Sequence, residues 1–360
     1  MKKIIIKQIN NKQNDYPIFI GENLLLKIDQ LFDFSRFSKV MIVTDTNIAK
    51  HFLLFVKKSI KKRELEIIIK PGEKEKNIKT VQLIWQKMFE AGFDRQSLLI
   101  NLGGGVICDI GGFAAATFMR GINFLNIPTT LLAQVDASVG GKTGIDFSEI
   151  KNGIGVFKNP IGVVIDVATL KTLPKRELVS GFGEIIKHGV IDGREYFDLV
   201  ISKKSEEFNS NELIKIIKLS IKIKSNIVKK DPKENNLRKM LNFGHTIGHA
   251  IETLSWKTDK PLLHGEAVAI GMIAESKLAN LMGLLSGKEL KIIEKSIQNA
   301  SLPTKIKGIK LGDIIKMISN DKKNSSGKIN WSLPKKIGEV IINVNVQEDL
   351  VVKAIKYIQI

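Results

Sequence analysis

The first half of the chain alternates short β-rich runs, KVMIVTD, LEIIIKPGE, LLINLGGG, FLNIPTT and IGVVIDVATL, with helical or glycine-rich segments. That alternation limits the fold more than any other feature, because strands separated by helix-length connections pair in parallel with right-handed crossovers. Near residue 170 the texture changes. Long helical patterns then cover 177–190, 211–230, 235–255, 265–283 and 287–299, and strand signal is scarce until GEVIINV at 338–344. The expectation is an α/β domain with a mostly parallel sheet over 1–173 and a mainly α-helical domain over 174–360. With no internal repeat and no low-complexity linker, the two halves are expected to share a cleft.

Composition excludes several classes. At 360 residues and 43% hydrophobic content the chain can bury a large core. No apolar run reaches the roughly 20 residues of a membrane helix, and MKKIIIKQINNKQNDYP turns polar too early for a signal peptide, so no membrane partner and a cytoplasmic location are expected. Cys108 is the single cysteine, which rules out an internal disulfide framework and a cysteine-based zinc knuckle. Any metal must use histidines and carboxylates. The net charge of +19 would suit nucleic acid if the basic residues clustered among aromatic ones. Here they spread along the whole chain, aromatics make up 6%, and the surplus is mostly lysine in stretches such as ELIKIIKLSIKIKSNIVKK. A solvated lysine surface is the expectation, with no nucleic-acid partner and with small anionic substrates compatible.

The first chemical signal is LLINLGGGVICDIGGFAAATF, where a strand runs into Gly103, Gly104 and Gly105 and a small-residue helix follows. Such a turn lets backbone N–H groups approach a pyrophosphate at a helix N-terminus, or serves only as a tight turn with close helix packing. The spacing is not G-x-G-x-x-G, so the glycines alone leave both readings open. Asp45 and Asn47, Gly72 and Glu73, and Thr129 with Thr130 also follow strands. In an open α/β sheet such strand ends gather at the ligand-binding edge, which makes the first domain a candidate dinucleotide-binding domain.

GGKTG at 140–144 has the look of a phosphate loop, but the G-x-x-x-x-G-K frame counted back from Lys142 requires glycine at position 136, which is Asp136. That reading fails. Lys142 and Lys151 on glycine-supported loops remain either an oxyanion site or solvated lysines.

Of only five histidines, His245, His249 and His264 fall within 20 residues. His245 and His249 stand at i and i+4, a metal-site spacing, yet Thr246 follows the first of them, so H-E-x-x-H is absent. Arg238, Asn242, His245, His249 and Glu252 are spaced 4, 3, 4 and 3, one stripe of a continuous helix over 235–255. A polar stripe is either a solvent face or a site. This one carries no lysine in a lysine-saturated chain and uses one of seven arginines and two of five histidines, which favours a site. His264 precedes a largely apolar helix, and GFGEIIKHGVI places Glu184 and Lys187 at i and i+3 on another helix. Two imidazoles and a carboxylate form a three-ligand set of the Zn²⁺ type with room for substrate oxygens.

GGGVICDIGGF, RGINFLNIPTTLLAQVDASVGGKTGID, KNGIGVFKNP, SGFGEIIKHG, NFGHTIGHAIE and LLHGEAVAIGM together resemble the 3-dehydroquinate synthase family of sugar-phosphate cyclases. The resemblance runs from about Asp45 to DKKNSSGKINWSLP at 321–334. It implies an NAD-dependent lyase with one divalent metal, Zn²⁺ or Co²⁺. Its reaction is conversion of 3-deoxy-D-arabino-heptulosonate 7-phosphate to 3-dehydroquinate plus phosphate, by transient oxidation, phosphate elimination, reduction, ring opening and aldol closure. The resemblance implies Glu184, His245 and His264 as metal ligands. It implies NAD contacts at Asp45, Asn47, Gly72, Glu73, Lys74, Glu75, Lys76, Gly104, Gly105, Val106, Ile107, Cys108 and Asp109, and further along at Thr129, Thr130, Lys142, Lys151, Thr169, Leu170, Lys171 and Thr172. Lys142, Asn152, Asn242 and His249 match the phosphate pocket, and Asp136, Lys187, Lys224 and Arg238 the carboxylate and hydroxyls. Arg120 matches an arginine lent across a dimer, which implies a homodimer. Whether Lys322 or Lys323 reaches the phosphate stays open, and Glu252 is expected to support a histidine.

The departures are small. Cys108 stands where the family usually has glycine, Gly183 where alanine is usual, and Asp146 where asparagine is more common. Related cyclases share the machinery but close other sugars; Lys224, Arg238 and the NFGHTIGHAIE frame favour dehydroquinate synthase among them.

Overall fold

The computed structural model describes residues 2–6, 15–60, 62, 64–148, 150–324 and 329–360, with backbone only at 2–6 and 320–324. The side chains of Lys322 and Lys323 thus lie outside the described residues. The chain divides into two compact units, Met1–Pro174 with Ser210–Ile221, and Lys175–Asn209 with Lys222–Ile360.

The first unit is built on seven strands, β1 (Lys2–Ile6), β2 (Tyr16–Gly21), β3 (Val40–Asp45), β4 (Glu64–Ile69), β5 (Leu98–Gly103), β6 (Asn123–Pro128) and β9 (Gly162–Asp166), in the order β1-β2-β9-β6-β5-β3-β4. Only β1 against β2 is antiparallel; the other neighbours are parallel, as the alternating sequence predicts. Every residue of β3, β5 and β9 is buried, the mark of strands covered on both faces. Successive β3 residues serve opposite cores. Val40 and Ile42 pack with Ile28, Val56 and Ile100, whereas Met41 and Val43 pack with Ile84, Leu99 and Ile110. The helices are α1 (Thr46–Ile48), α2 (Leu54–Ile60), α3 (Ile78–Glu90) and α4 (Gly105–Thr117), and a separate hairpin pairs β7 (Lys142–Phe147) with β8 (Ile150–Phe157). After β3 the chain steps out to β4 and returns on the other side at β5, so the ends of β3 and β5 flank a reversal of strand order, where α/β sheets bind ligands.

The second unit carries α5 (Lys175–Asp192), α6 (Arg194–Val200), the end of α7 (Ser210–Lys230), α8 (His245–Ser255), α9 (His264–Leu281), α10 (Gly287–Asn299), α11 (Leu311–Asn324) and α12 (Glu348–Ile358). A hairpin, β10 (Trp331–Lys336) with β11 (Glu339–Val344), completes it. Residues 265–276 of α9 are all buried, because α5, α8, α10 and α12 surround it. No described helix is long and apolar enough to cross a membrane.

One expected element is overturned. Instead of a continuous helix over 235–255, Leu237–Asn242 forms a 3₁₀ segment, Phe243 is extended, and Gly244 is left-handed at φ 82° before α8 begins at His245. A side chain at 244 would meet Met272 Cγ at 2.6 Å and Val268 O at 3.0 Å, so the break allows α8 to lie against α9. Arg238 and Asn242 therefore do not share a helix face with the histidines.

Candidate functional site

The first unit gathers the expected dinucleotide residues along one sheet edge. Asp45 ends β3, Gly72 to Lys76 follow β4, Gly104 to Asp109 follow β5, Thr129 and Thr130 follow β6, and Thr169, Leu170, Lys171 and Thr172 follow β9. Asp45 caps the turn after β3, accepting from the N–H groups of Asn47 at 2.8 Å and Ile48 at 3.1 Å, and its burial raises its pKa. Gly104 is the N-cap of α4, with its first-turn N–H groups at the sheet edge. A Cβ there would stand 3.1 Å from Thr130 Cγ2, so glycine keeps the cradle open.

Beside this edge lies a buried charge cluster. Lys76 Nζ meets Asp109 Oδ2 at 2.6 Å and donates to Asn152 Oδ1. Burial would lower the pKa of Lys76, but the carboxylates of Asp109, Glu73 and Asp146 outweigh it and raise it. Lys151 Nζ lies 3.2 Å from Glu73, and Asp146 accepts from the Asn152 N–H at 2.8 Å, which holds Asn152 at φ 52°. The aspartate at 146 thus braces a left-handed residue. Lys142 begins β7 after two left-handed glycines, Asp136 closes a helical turn over Ala133–Ala137, and Arg120 is exposed at φ 68°.

In the second unit the expected metal residues converge. Glu184 on α5 is fully buried, and its Oε1 lies 3.4 Å from His245 Nε2 and 3.6 Å from His264 Nε2. His245 opens α8 and His264 opens α9. The His249 ring lies 5.0 Å from that of His245 and 5.7 Å from that of His264. Lys187 Nζ forms a close ion pair with Glu184 Oε2. Ligands about 2.1 Å from a tetrahedral ion stand roughly 3.4 Å apart, so the donor separations fit a divalent metal.

Each imidazole is turned by its other nitrogen. His245 Nδ1 donates to Phe243 O at 3.2 Å, and His264 Nδ1 to Glu252 Oε2 at 3.1 Å, leaving both Nε2 atoms toward Glu184. The histidine support expected of Glu252 is this contact. Burial opposes ionisation of Glu184, but Lys187, His245 and His264 hold its pKa well below the usual range. Burial and Lys187 push His245 well down, whereas Glu252 and Glu184 overcome burial to lift His264 to about 10.

Backbone contact makes this convergence possible. A Cβ on Gly183 would stand 2.3 Å from Gly265 O, and one on Gly271 would stand 2.0 Å from Gly244 O. Thus α9 touches α5 beside Glu184 and α8 beside His245. The glycine at 183 suits this spacing, where alanine would force the helices apart. The start of α9 is pinned as well: Glu266 accepts from the Leu263 N–H at 2.8 Å and from Arg176 through a fork of 2.7 and 2.6 Å.

Arg176, Glu266 and Glu275 escaped the sequence reading. Lone carboxylates in the apolar run GEAVAIGMIAES were the signal available. Of the remaining expected residues, Lys224 is buried on α7, and Arg238 is buried with Nη1 donating to Pro232 O at 2.7 Å. Asp231 organises that loop, accepting from the N–H groups of Asn235, Asn236 and Arg238 at 3.0, 2.7 and 3.0 Å. Asn242 donates to Glu234 at 2.9 Å.

This fold occurs in solved proteins. 2-Deoxy-scyllo-inosose synthase complexed with carbaglucose-6-phosphate, NAD⁺ and Co²⁺ matches 99% of this chain and 100% of its own with a TM-score of 0.89 at 22% identity. 2-Epi-5-epi-valiolone synthase from Streptomyces hygroscopicus, with NAD⁺ and Zn²⁺ bound, matches 95% of this chain and 96% of its own with a TM-score of 0.86 at 25% identity. The class is the sugar-phosphate cyclase fold. Models described as 3-dehydroquinate synthase N-terminal and C-terminal match residues 66–180 and 181–324. A 3-dehydroquinate synthase from Ruminiclostridium cellulolyticum is 42% identical over 337 residues, 92% of this chain and 93% of that protein. The chain belongs to the 3-dehydroquinate synthase family.

Proposed function

We propose that this chain converts 3-deoxy-D-arabino-heptulosonate 7-phosphate to 3-dehydroquinate and phosphate, using NAD and one Zn²⁺ or Co²⁺. The observation that carries the reading is the meeting of Glu184 with the Nε2 atoms of His245 and His264 in a family member. Glu184, His245 and His264 would hold the metal. The sheet-edge residues Asp45, Asn47, Gly72 to Lys76, Gly104 to Asp109, Thr129, Thr130, Lys142, Lys151 and Thr169 to Thr172 would hold NAD. When bound, NAD supplies a hydride acceptor that is regenerated within the turnover, and the divalent ion supplies Lewis acidity.

The chain's own residues do the binding and orienting. In the first unit we assign the substrate phosphate to Lys142 and Asn152, and hydroxyl contacts to Asp136. In the second we assign phosphate contacts to Asn242 and His249, and the carboxylate and hydroxyls to Lys187, Lys224 and Arg238. A guanidinium fork suits a planar carboxylate, and Asp231 fixes the backbone that presents Arg238. Lys187, bound to Glu184, keeps that carboxylate ionised and correctly turned.

A homodimer with Arg120 at the interface belongs to the same proposal. Phe147, Ile150, Ile154 and Phe157 on the β7–β8 hairpin are 40–56% exposed, apolar surface that a second copy would cover. We place the enzyme in the cytoplasm, because its cofactor and substrate are charged phosphates that do not cross a bilayer. Incubation with the heptulosonate phosphate, NAD and Zn²⁺ or Co²⁺ should release phosphate, and a chelator should stop it. Absence of metal-stimulated release would overturn the assignment.

A further inference from the structure

Glu275 has no part in the chemistry assigned above, yet it is a fully buried acidic side chain in the middle of α9, where burial pushes its pKa up to about 8 against backbone N–H groups that favour the ionised form. Its Oε2 accepts from the Gly244 N–H at 2.6 Å and its Oε1 from the Ile247 N–H at 3.1 Å. These are N–H groups at the start of α8, which have no partner within the helix. The Gly244 nitrogen belongs to the same peptide as the Phe243 carbonyl, and that carbonyl receives the Nδ1–H of His245 at 3.2 Å.

We propose that Glu275 is a positioning residue for His245, acting through the 243–244 peptide. A carboxylate, a peptide and an imidazole form one hydrogen-bonded series. A carboxylate on the N–H end of a peptide polarises it and strengthens the carbonyl as an acceptor. The stronger acceptor fixes the Nδ1–H tautomer of His245 and leaves the Nε2 lone pair toward Glu184. A histidine ligand often takes this help from a carboxylate in direct contact, as His264 does from Glu252. For His245 the carboxylate acts one peptide away. The close approach of Gly271 to Gly244 leaves no room for a side chain there, and Glu275 lies one turn further along α9.

This inference rests on His245 being a metal ligand, and two measurements separate its failure from the failure of that reading. The first needs no variant. Imidazole ¹⁵N signals of metal-free wild-type protein at about pH 9, above the raised pKa of Glu275, should show His245 neutral with the proton on Nδ1, and an Nε2–H tautomer would overturn the proposal. The second uses Glu275→Gln, which keeps the shape but sets an amide N–H₂ against a backbone N–H. In that variant His245 should populate the Nε2–H tautomer, the contact of His264 with Glu252 should keep its signals, and Co²⁺ affinity should fall about 10- to 100-fold. An unchanged His245 tautomer in E275Q refutes the relay, and so does unchanged Co²⁺ affinity. If wild type binds no Co²⁺, the metal assignment fails, and the tautomer measurements still decide the relay. If E275Q does not fold, the wild-type tautomer decides it alone.

Discussion

The crossing of α8 and α9 should be the most sensitive structural determinant of metal affinity, and Gly271→Ala probes it away from every proposed ligand. The new Cβ would stand 2.0 Å from Gly244 O and 2.8 Å from Gly248 N, both backbone atoms, where ordinary contact begins at 3.4 Å. Neither can swing aside as a flexible side chain would. Relief requires α8 to retreat from α9 by roughly 1.4 Å, the difference between the contact limit and the clash, whereas metal–ligand distances tolerate only about 0.2 Å. Overpacking of this kind costs about 1–3 kcal/mol, which for a unit of this size lowers Tm by about 2 to 12 °C. Because His245 moves with α8 and His264 with α9, Co²⁺ affinity should fall by at least about 100-fold. Thermal unfolding of metal-free protein and a Co²⁺ absorption titration read the two effects separately. Gly287→Ala is the control, since a Cβ there meets nothing within 4 Å. It should change stability by no more than about 0.5 kcal/mol. Wild-type Co²⁺ affinity in G271A would refute the claim that backbone contact sets the ligand spacing.

Three further outcomes are expected. Glu252→Gln removes the carboxylate on His264 Nδ1 and should weaken Zn²⁺ binding about 10- to 100-fold without unfolding the protein; equal affinity in competition with a chromophoric chelator would contradict this. His264 is raised to about 10, so in metal-free protein near pH 7 to 9 it carries a proton that Zn²⁺ must displace from Nε2. Apparent affinity should therefore rise with pH up to about 10, and calorimetry in buffers of different ionisation enthalpy should report close to one proton released by His264; no release would count against the assignment. Asp231→Asn sets an amide against N–H groups of the Arg238 loop, so KM for the phosphorylated substrate should rise about 10-fold while Zn²⁺ affinity stays constant, and a change confined to kcat would show that the loop does not position Arg238 for binding.

The sheet was legible because β3, β5 and β9 are mostly apolar and end in aspartate or glycine. The convergence of Glu184 with His245 and His264 was suggested by residue rarity more than by periodicity: histidines concentrated between 245 and 264 in a chain with five of them. Periodicity misled at 235–255. The 4-3-4-3 spacing holds on paper, but Gly244 breaks the helix under the pressure of Met272 and Val268 on α9, and a long-range contact of that kind leaves no local trace. The sequence leaves Gly103, Gly104 and Gly105 open between a pyrophosphate turn and close helix packing, and nothing local marks Gly183, Gly265 and Gly271, which serve helix-to-helix contact. Their role depends on which helix lies opposite, as does that of Glu275.

The metal triad itself is tested most directly by locating the ion. Crystals of the Co²⁺-loaded protein, with anomalous differences collected at the cobalt edge, should show one peak about 2.0–2.2 Å from Glu184, His245 Nε2 and His264 Nε2, with His249 outside the ligand sphere. A peak coordinated by His249 in place of Glu184, or no peak among these residues at saturating Co²⁺, would contradict the account.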